Sequence, residues 1–134
     1  MTWYLAIRSD SRYSESIPTS ALTEYLDSIP ELCRTDLSSY TAEGGLLGWV
    51  HLVIASCGPT GNYATHPSRL PQDINQVQLI CSSSLGSNYE AQKALARRIA
   101  VRLGWEMVDD ETDEILHARG EADWMIDSKG YPRT

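Results

Sequence analysis

A chain of 134 residues with a formal charge of −7 fits one domain whose core needs no staples, since a domain of this size hides roughly two thirds of the surface its unfolded form exposes. An acidic surface repels phosphate backbones and anionic lipid, so the charge disfavours nucleic acid and membrane as partners. Cys33, Cys57 and Cys81 are odd in number, widely spaced and without a Cys-x-x-Cys pair, which argues against a disulfide framework or a zinc ribbon and predicts reduced, mostly buried thiols.

In chain order, residues 2–7 alternate, with Trp3, Leu5 and Ile7 on one side and Tyr4 and Ala6 on the other, the period-two pattern of a half-buried strand. The chain starts straight into this strand with no basic leader. No segment approaches the roughly 18 apolar residues of a membrane span, so a soluble, cytoplasmic protein is expected. Leu22, Tyr25, Leu26 and Ile29 recur at helical spacing after Pro18-Thr19-Ser20, predicting a short helix with Thr19 or Ser20 as N-cap and its end at Ile29, ahead of Pro30. Residues 37–42 form an optional edge strand, turned by Glu43-Gly44-Gly45 into the next element. In residues 49–57, Val50, Leu52 and Ile54 alternate with Trp49, His51, Val53 and Ala55, a run apolar enough for the middle of a sheet.

Residues 58–75 carry three prolines and two glycines without periodicity, a long connection by the standards of compact domains. A β-branched run at 77–81 follows, and Ser87-Asn88-Tyr89-Glu90 has the form of a capping box. From Tyr89 to Leu103 the residues Leu95, Ala96, Ile99, Ala100 and Leu103 share one side of a helix, flanked by basic rows of Lys93 with Arg97 and Arg98 with Arg102. Gly104 closes that helix, and a last short strand spans 105–108.

The order β, α, β, β, α, β is the split βαβ or ferredoxin-like arrangement. This predicts a single α+β domain over residues 1–134 with a four-stranded, possibly five-stranded, antiparallel sheet and two helices on one face. The expected core is Trp3, Leu5, Ile7, Val50, Leu52, Ile54, Leu79, Leu95, Ile99 and Leu103. Tyr4, Trp49, His51, Gln76 and Gln78 are expected on the uncovered face.

The charge is local. Residues 1–105 hold nine acids against eight bases, a balance of −1, whereas residues 106–134 hold nine acids against three bases, a balance of −6. Residues from about 109 onward therefore read as an acidic C-terminal extension. Among possible reacting groups, His51 and Cys57 share a strand face but stand about 20 Å apart along it, far beyond a hydrogen bond or a metal ligand distance. His66 lies in the loop beyond. The acidic run at 109–114 lacks the glycine and ligand period of a calcium loop, and the glycines make no nucleotide-binding motif. No catalytic residue, cofactor or metal is expected, and Arg97, Arg98 and Arg102 are expected to pair with the acidic strand end or remain solvated.

What the chain offers instead is an interface. Asp109, Asp110, Glu111, Asp113 and Glu114 form a charged surface, while Trp124, Met125 and Tyr63 supply apolar anchors of the kind interfaces favour. In size, acidity and α+β order the whole chain resembles the immunity proteins of bacterial polymorphic toxin systems, with Gly61-Asn62-Tyr63-Ala64 and Leu103-Gly104-Trp105-Glu106 as local matches. The resemblance implies a cognate toxin domain, commonly basic, that a monomer would block in a 1:1 complex by mimicking the charge of the toxin's substrate. The alternative is a small dimeric α+β enzyme or ligand-binding protein that uses the open sheet face through Tyr4, Trp49, His51 and Gln78.

Overall fold

The alternation of residues 2–7 appears as an interior strand of the sheet in the computed structural model, which describes residues 2–44, 47–59, 70–82, 86–120 and 130–131. That strand, β1 (Thr2–Arg8), pairs antiparallel with β7 (Gln76–Ser82) on one side and with β8 (Glu106–Asp109) on the other. Beyond β7 lie β5 (Gly48–Ala55), β4 (Ser39–Gly44) and β3 (Cys33–Asp36), and beyond β8 lies β9 (Ile115–His117). The result is a seven-stranded sheet in the order β3-β4-β5-β7-β1-β8-β9, with every pairing antiparallel. The expected count of four or five is therefore too low. Both additions are edge strands without a buried stripe: all four residues of β3 are exposed, and β9 has only three residues with Ile115 open to solvent. Ladder hydrogen bonds hold such strands and leave no period-two signal in the sequence. A separate two-stranded ribbon joins β2 (Ile17–Pro18) to β6 (Asp73–Ile74), inside what reads as a loop.

Register makes one face apolar. Leu79 stands between Leu5 and Leu52, Val77 between Ile7 and Ile54, and Cys81 between Trp3 and Val50. These side chains form a single core with Leu22 and Leu26 of α1 (Thr19–Asp27) and with Leu95, Ala96, Ile99 and Ala100 of α2 (Gly86–Leu103), so both helices cover the same face. Every expected core residue is there, Leu103 half-buried at its margin. Tyr40 of β4 is fully buried in this core and donates its hydroxyl to Asp27 Oδ1 at 2.9 Å, tying the widened sheet to the end of α1. Among the described residues no helix is long and apolar enough to cross a membrane.

The helix ends differ from expectation. Thr19 is the first residue of α1 rather than its cap, and Pro18 caps it without a side-chain bond. The first-turn donor is met instead by the chain before β6, where Gln72 O accepts from Thr19 N at 2.9 Å and Pro71 O from Thr19 Oγ1 at 2.5 Å. The helix stops at Asp27, two residues before Ile29, where Ser28 N and Oγ both donate to Tyr25 O. Helix α2 begins at Gly86, which places Ser87 inside its first turn and removes it as the N-cap. Its other end is as expected. Gly104, at φ 70°, lets Trp105 N reach Ala100 O at 3.0 Å while Gly104 N reaches Val101 O at 3.2 Å, a Schellman closure.

The basic rows of α2 do not meet the acidic strand end. Arg98 pairs with Glu31 at 2.8 Å, Arg97 donates to Gly130 O at 2.8 Å, and Arg102 lies over the Tyr25 ring. A buried polar residue on this helix escaped the sequence reading. Gln92 is fully buried, its Oε1 accepting from the Trp3 indole at 2.7 Å and its Nε2 donating to Leu47 O and Ser82 O at 2.9 and 3.0 Å. Gln92→Leu keeps the volume but leaves the indole N–H and two carbonyls without that partner, so a loss of roughly 2–4 kcal/mol is expected in denaturant unfolding. Gly130 gives a second test. At φ 93° it packs so tightly on α2 that a Cβ would overlap the Ala94 carbonyl oxygen, whereas a Cβ on Gly104 meets nothing. Gly104→Ala should cost only about 1 kcal/mol for its backbone conformation, and Gly130→Ala measurably more, by comparison of unfolding midpoints.

Candidate functional site

The face turned away from the helices carries the even-numbered residues of β1. Ala6 lies between Gln78 and Val108, and Arg8 between Gln76 and Glu106. A charged residue at the end of an alternating strand must find partners there, and Arg8 does: its Nε donates to Glu106 Oε2 at 2.8 Å, with the two side chains only 10% and 12% exposed. Burial alone would weaken the Arg8 charge, but the bonds to Glu106 and to the Tyr13 hydroxyl outweigh it and hold the guanidinium above its ordinary range. Tyr13 lies with its ring 5.5 Å from the Arg8 Cζ, and its hydroxyl also accepts from Gln76 Nε2 at 3.4 Å.

Tyr13 reaches this position from a tight loop after β1. It has φ 56°, uncommon for a residue with a side chain, and the turn before it is organised by Asp10, whose carboxylate accepts from Arg12 N at 2.9 Å, from Ser14 N at 3.2 Å and from the Ser14 hydroxyl. The Ser14 hydroxyl and the Arg12 amide hold the Asp10 carboxyl below its usual range, so it stays ionised. From the other side comes the β8–β9 turn. Asp109 Oδ1 accepts from Glu111 N at 2.9 Å and Thr112 N at 3.3 Å, and Asp113 takes φ 60°, a conformation that Asp tolerates. Asp110 N donates to Tyr4 O at 3.0 Å and its Oδ2 accepts from Gln78 Nε2 at 3.1 Å, which draws its carboxylate back toward the sheet.

Loop, sheet and turn enclose an open recess of about 700 Å³. Arg8, Tyr13 and Glu106 line it from the sheet side, Asp10 and Ser11 from the loop, Asp110, Asp113 and Ile115 from the turn, and Pro59 closes the ring. One base against four acids leaves its lining net acidic. Two residues of the acidic run, Asp110 and Asp113, therefore line a cavity. Of the expected interface residues, Asp110 and Asp113 line the recess, Asp109 serves chiefly to shape the turn, and Glu111 and Glu114 are exposed and are not among its lining residues. Trp124, Met125 and Tyr63 lie outside the described residues, as does His66. Arg8, Tyr13 and Asp10 were not anticipated. Only the phase of Arg8 with Tyr4 and Ala6 in β1 signalled an unusual placement.

The other end of the same face is aromatic. Trp49 and His51 stack with ring centroids 6.0 Å apart, and His51, Ile80 and Tyr4 are successive cross-strand neighbours. Gln78 is half-buried here, whereas Gln76 is buried beneath Tyr13 rather than open. Cys57 lies just past β5 with its backbone N and O clasped by the Asn75 side chain, and burial pushes its thiol up. Burial pushes Cys81 up to about 12. Cys33 departs from the expected burial, being exposed on the edge strand. Among the described residues no group of three His, Cys, Asp or Glu side chains is arranged to hold a metal ion.

Asp110 supplies a pH test. Its carboxyl is held above the ordinary range by burial, with Asp113 and Asp109 adding to the effect and Arg8 opposing it. A carboxyl raised in the folded state makes folding less favourable as pH climbs from its unfolded value through the folded one. Asp110→Asn keeps an acceptor for Gln78, so it should be at least as stable as the parent at pH 7. That advantage should shrink as pH falls through the raised folded value and be largely gone by about 4, the unfolded value, which paired thermal melts across pH 3.5–7 would read.

Compared with protein-family models, curated proteins and solved structures, the chain matches none of them.

Proposed function

We propose that this chain is a non-enzymatic protein-binding module of the immunity-protein kind, which captures a basic toxin domain in a 1:1 complex in the cytoplasm and blocks it. The observation that carries the reading is the convergence of Asp10, Asp110 and Asp113 on one recess, with Glu111 and Glu114 exposed in the same turn as Asp110 and Asp113. A concentrated negative rim steers a basic partner and can stand in for the phosphate charge that such a partner normally engages. The inner strands also support the ferredoxin-like reading. β5-β7-β1-β8 lie in the order and antiparallel sense of that arrangement, with α1 and α2 in the expected connections, and β3, β4 and β9 are additions at its two edges.

One specific observation favours a second reading. The Trp49–His51 stack, with Trp49 38% exposed, sits at one end of the face away from the helices, with Ile80 between His51 and Tyr4, and a homodimer or an apolar ligand could use it. Light scattering separates the two, since a dimer that persists on dilution favours this reading and a monomer the first.

The decisive experiment is stopped-flow association with the product of the neighbouring reading frame. Glu111→Gln, Asp113→Asn and Glu114→Gln together leave the turn intact, because Asp109 still caps it and Asn accepts the conformation of Asp113. The triple variant should keep the parent's melting midpoint and associate roughly tenfold more slowly at low salt, the gap closing as ionic strength rises, with dissociation less affected. Equal association rates at low salt would assign this rim to solubility alone.

A further inference from the structure

We infer that Tyr13 is a hinged cover over the Gln76 amide, carried on a loop that swings about its neck and opens the floor of the recess to solvent. A buried oxygen motivates it. Gln76 is 2% exposed, and while its Nε2 donates to the Tyr13 hydroxyl at 3.4 Å, its Oε1 has no hydrogen-bond partner among the described residues. An acceptor stripped of water and given no donor in return is unfavourable, so any movement that lets a donor in is favoured by that much. Tyr13 stands in the way of such a donor, since Gln76 is the cross-strand neighbour of Arg8, and Arg8 lines the recess with the Tyr13 ring beside it.

The bonds of the loop are graded as a hinge requires. Its neck is firm: Glu15 N donates to Ser9 Oγ at 3.0 Å, and Arg119 donates to Ser9 O at 3.2 Å and to the Glu15 carboxylate. Between those points the Asp10 carboxylate gathers the Arg12 and Ser14 amides while Tyr13 N reaches Asp10 O at 3.1 Å, so the tip coheres as a unit. What ties that unit to the sheet is weaker. Tyr13 O accepts from Asn75 Nδ2 at 3.3 Å, and the Tyr13 hydroxyl accepts from Gln76 at 3.4 Å and from Arg8 Nη1 at 3.5 Å. All three exceed the length most common for such bonds, about 2.9–3.0 Å, although the same Asn75 holds Cys57 at 2.8 and 2.9 Å. Tyr13 also keeps φ 56°, which is strained for a residue with a side chain. Burial of the ring and its place over Arg8 keep the closed form dominant. Lifting it leaves Arg8 on Glu106 and brings the Gln76 acceptor to the recess floor.

The test is relaxation-dispersion NMR on the full, isotope-labelled chain, which reads the microsecond-to-millisecond range in which covers open. Exchange is expected at the Tyr13 ring and the Gln76 side-chain amide. None is expected at the Gln92 amide, which is as deeply buried but makes three hydrogen bonds. Gln76→Met keeps the bulk, gives up only the 3.4 Å contact and removes the unpaired oxygen, so it should lower the open fraction at Tyr13 by about fivefold. Tyr13→Phe keeps the ring but loses both hydroxyl contacts, and it should raise the open fraction at Gln76 by a similar factor. No exchange at Tyr13 and Gln76, equal exchange at Gln92, an open fraction that Gln76→Met leaves unchanged, or one that Tyr13→Phe lowers would overturn the cover. If Gln76→Met does not fold, the parent and Tyr13→Phe decide it.

Discussion

Strand β1 is paired along its length with β7 and, over its second half, with β8, and that double pairing is the constraint on which the rest of the molecule depends. A strand held on both sides cannot slip by one residue without turning its whole apolar set over. Trp3, Leu5 and Ile7 are thereby committed to the helices, and Ala6 and Arg8 to the opposite face. The recess is a consequence of the same register, because Arg8 can meet Glu106 only if the two are cross-strand partners.

The helices reinforce this arrangement through polar as well as apolar contact. Burying the Gln92 amide would be unfavourable alone, yet its three hydrogen bonds reach β1, β7 and the residue before β5, so α2 has one seat on the sheet where all are made. Gly48 belongs to the same corner. At φ 65° it brings the start of β5 against Ser82 O and the Asn88 side chain, where a Cβ would already be at 3.0–3.3 Å. Gly130 does the equivalent at the far side of α2, with Arg97 closing over its carbonyl.

The face away from the helices is itself largely buried, with Ala6, Val53, Ala55 and Val108 shielded from solvent, and it handles its polar groups differently at its two ends. Around Arg8 the polar groups are linked in a network of Glu106, Tyr13, Gln76 and Asn75, which fixes the wall of the recess with few free degrees of freedom. Across the gap, the carboxylates of the β8–β9 turn are spent only partly on that turn. The wall is thus tied together by hydrogen bonds, with Gln76 Oε1 left as the one buried side-chain oxygen among the described residues that finds no partner. It faces a turn whose Asp113 makes no ion pair among those residues, which sets this end of the sheet apart from the apolar core.

The sequence by itself determined the α+β class, the parity of β1, β5 and β7, the apolar stripe of α2, its closure at Gly104 and the concentration of acid after residue 105, since each follows from local periodicity, glycine chemistry or a charge count. Periodicity could not reveal β3 or β9, which bury no stripe, nor the start of α2, where the Ser-x-x-Glu pattern lies within the first turn. Gln92 and Arg8 were beyond local reasoning for another reason: a buried amide or guanidinium is tolerated only through partners far along the chain, here 89 residues to Trp3 and 98 to Glu106. The acids at 109–114 were legible as a charged surface. Only the tertiary structure decided that Asp110 and Asp113 face Asp10 and Tyr13 across a recess, because the loop after β1 and the turn after β8 become neighbours solely through the pairing of the strands that carry them.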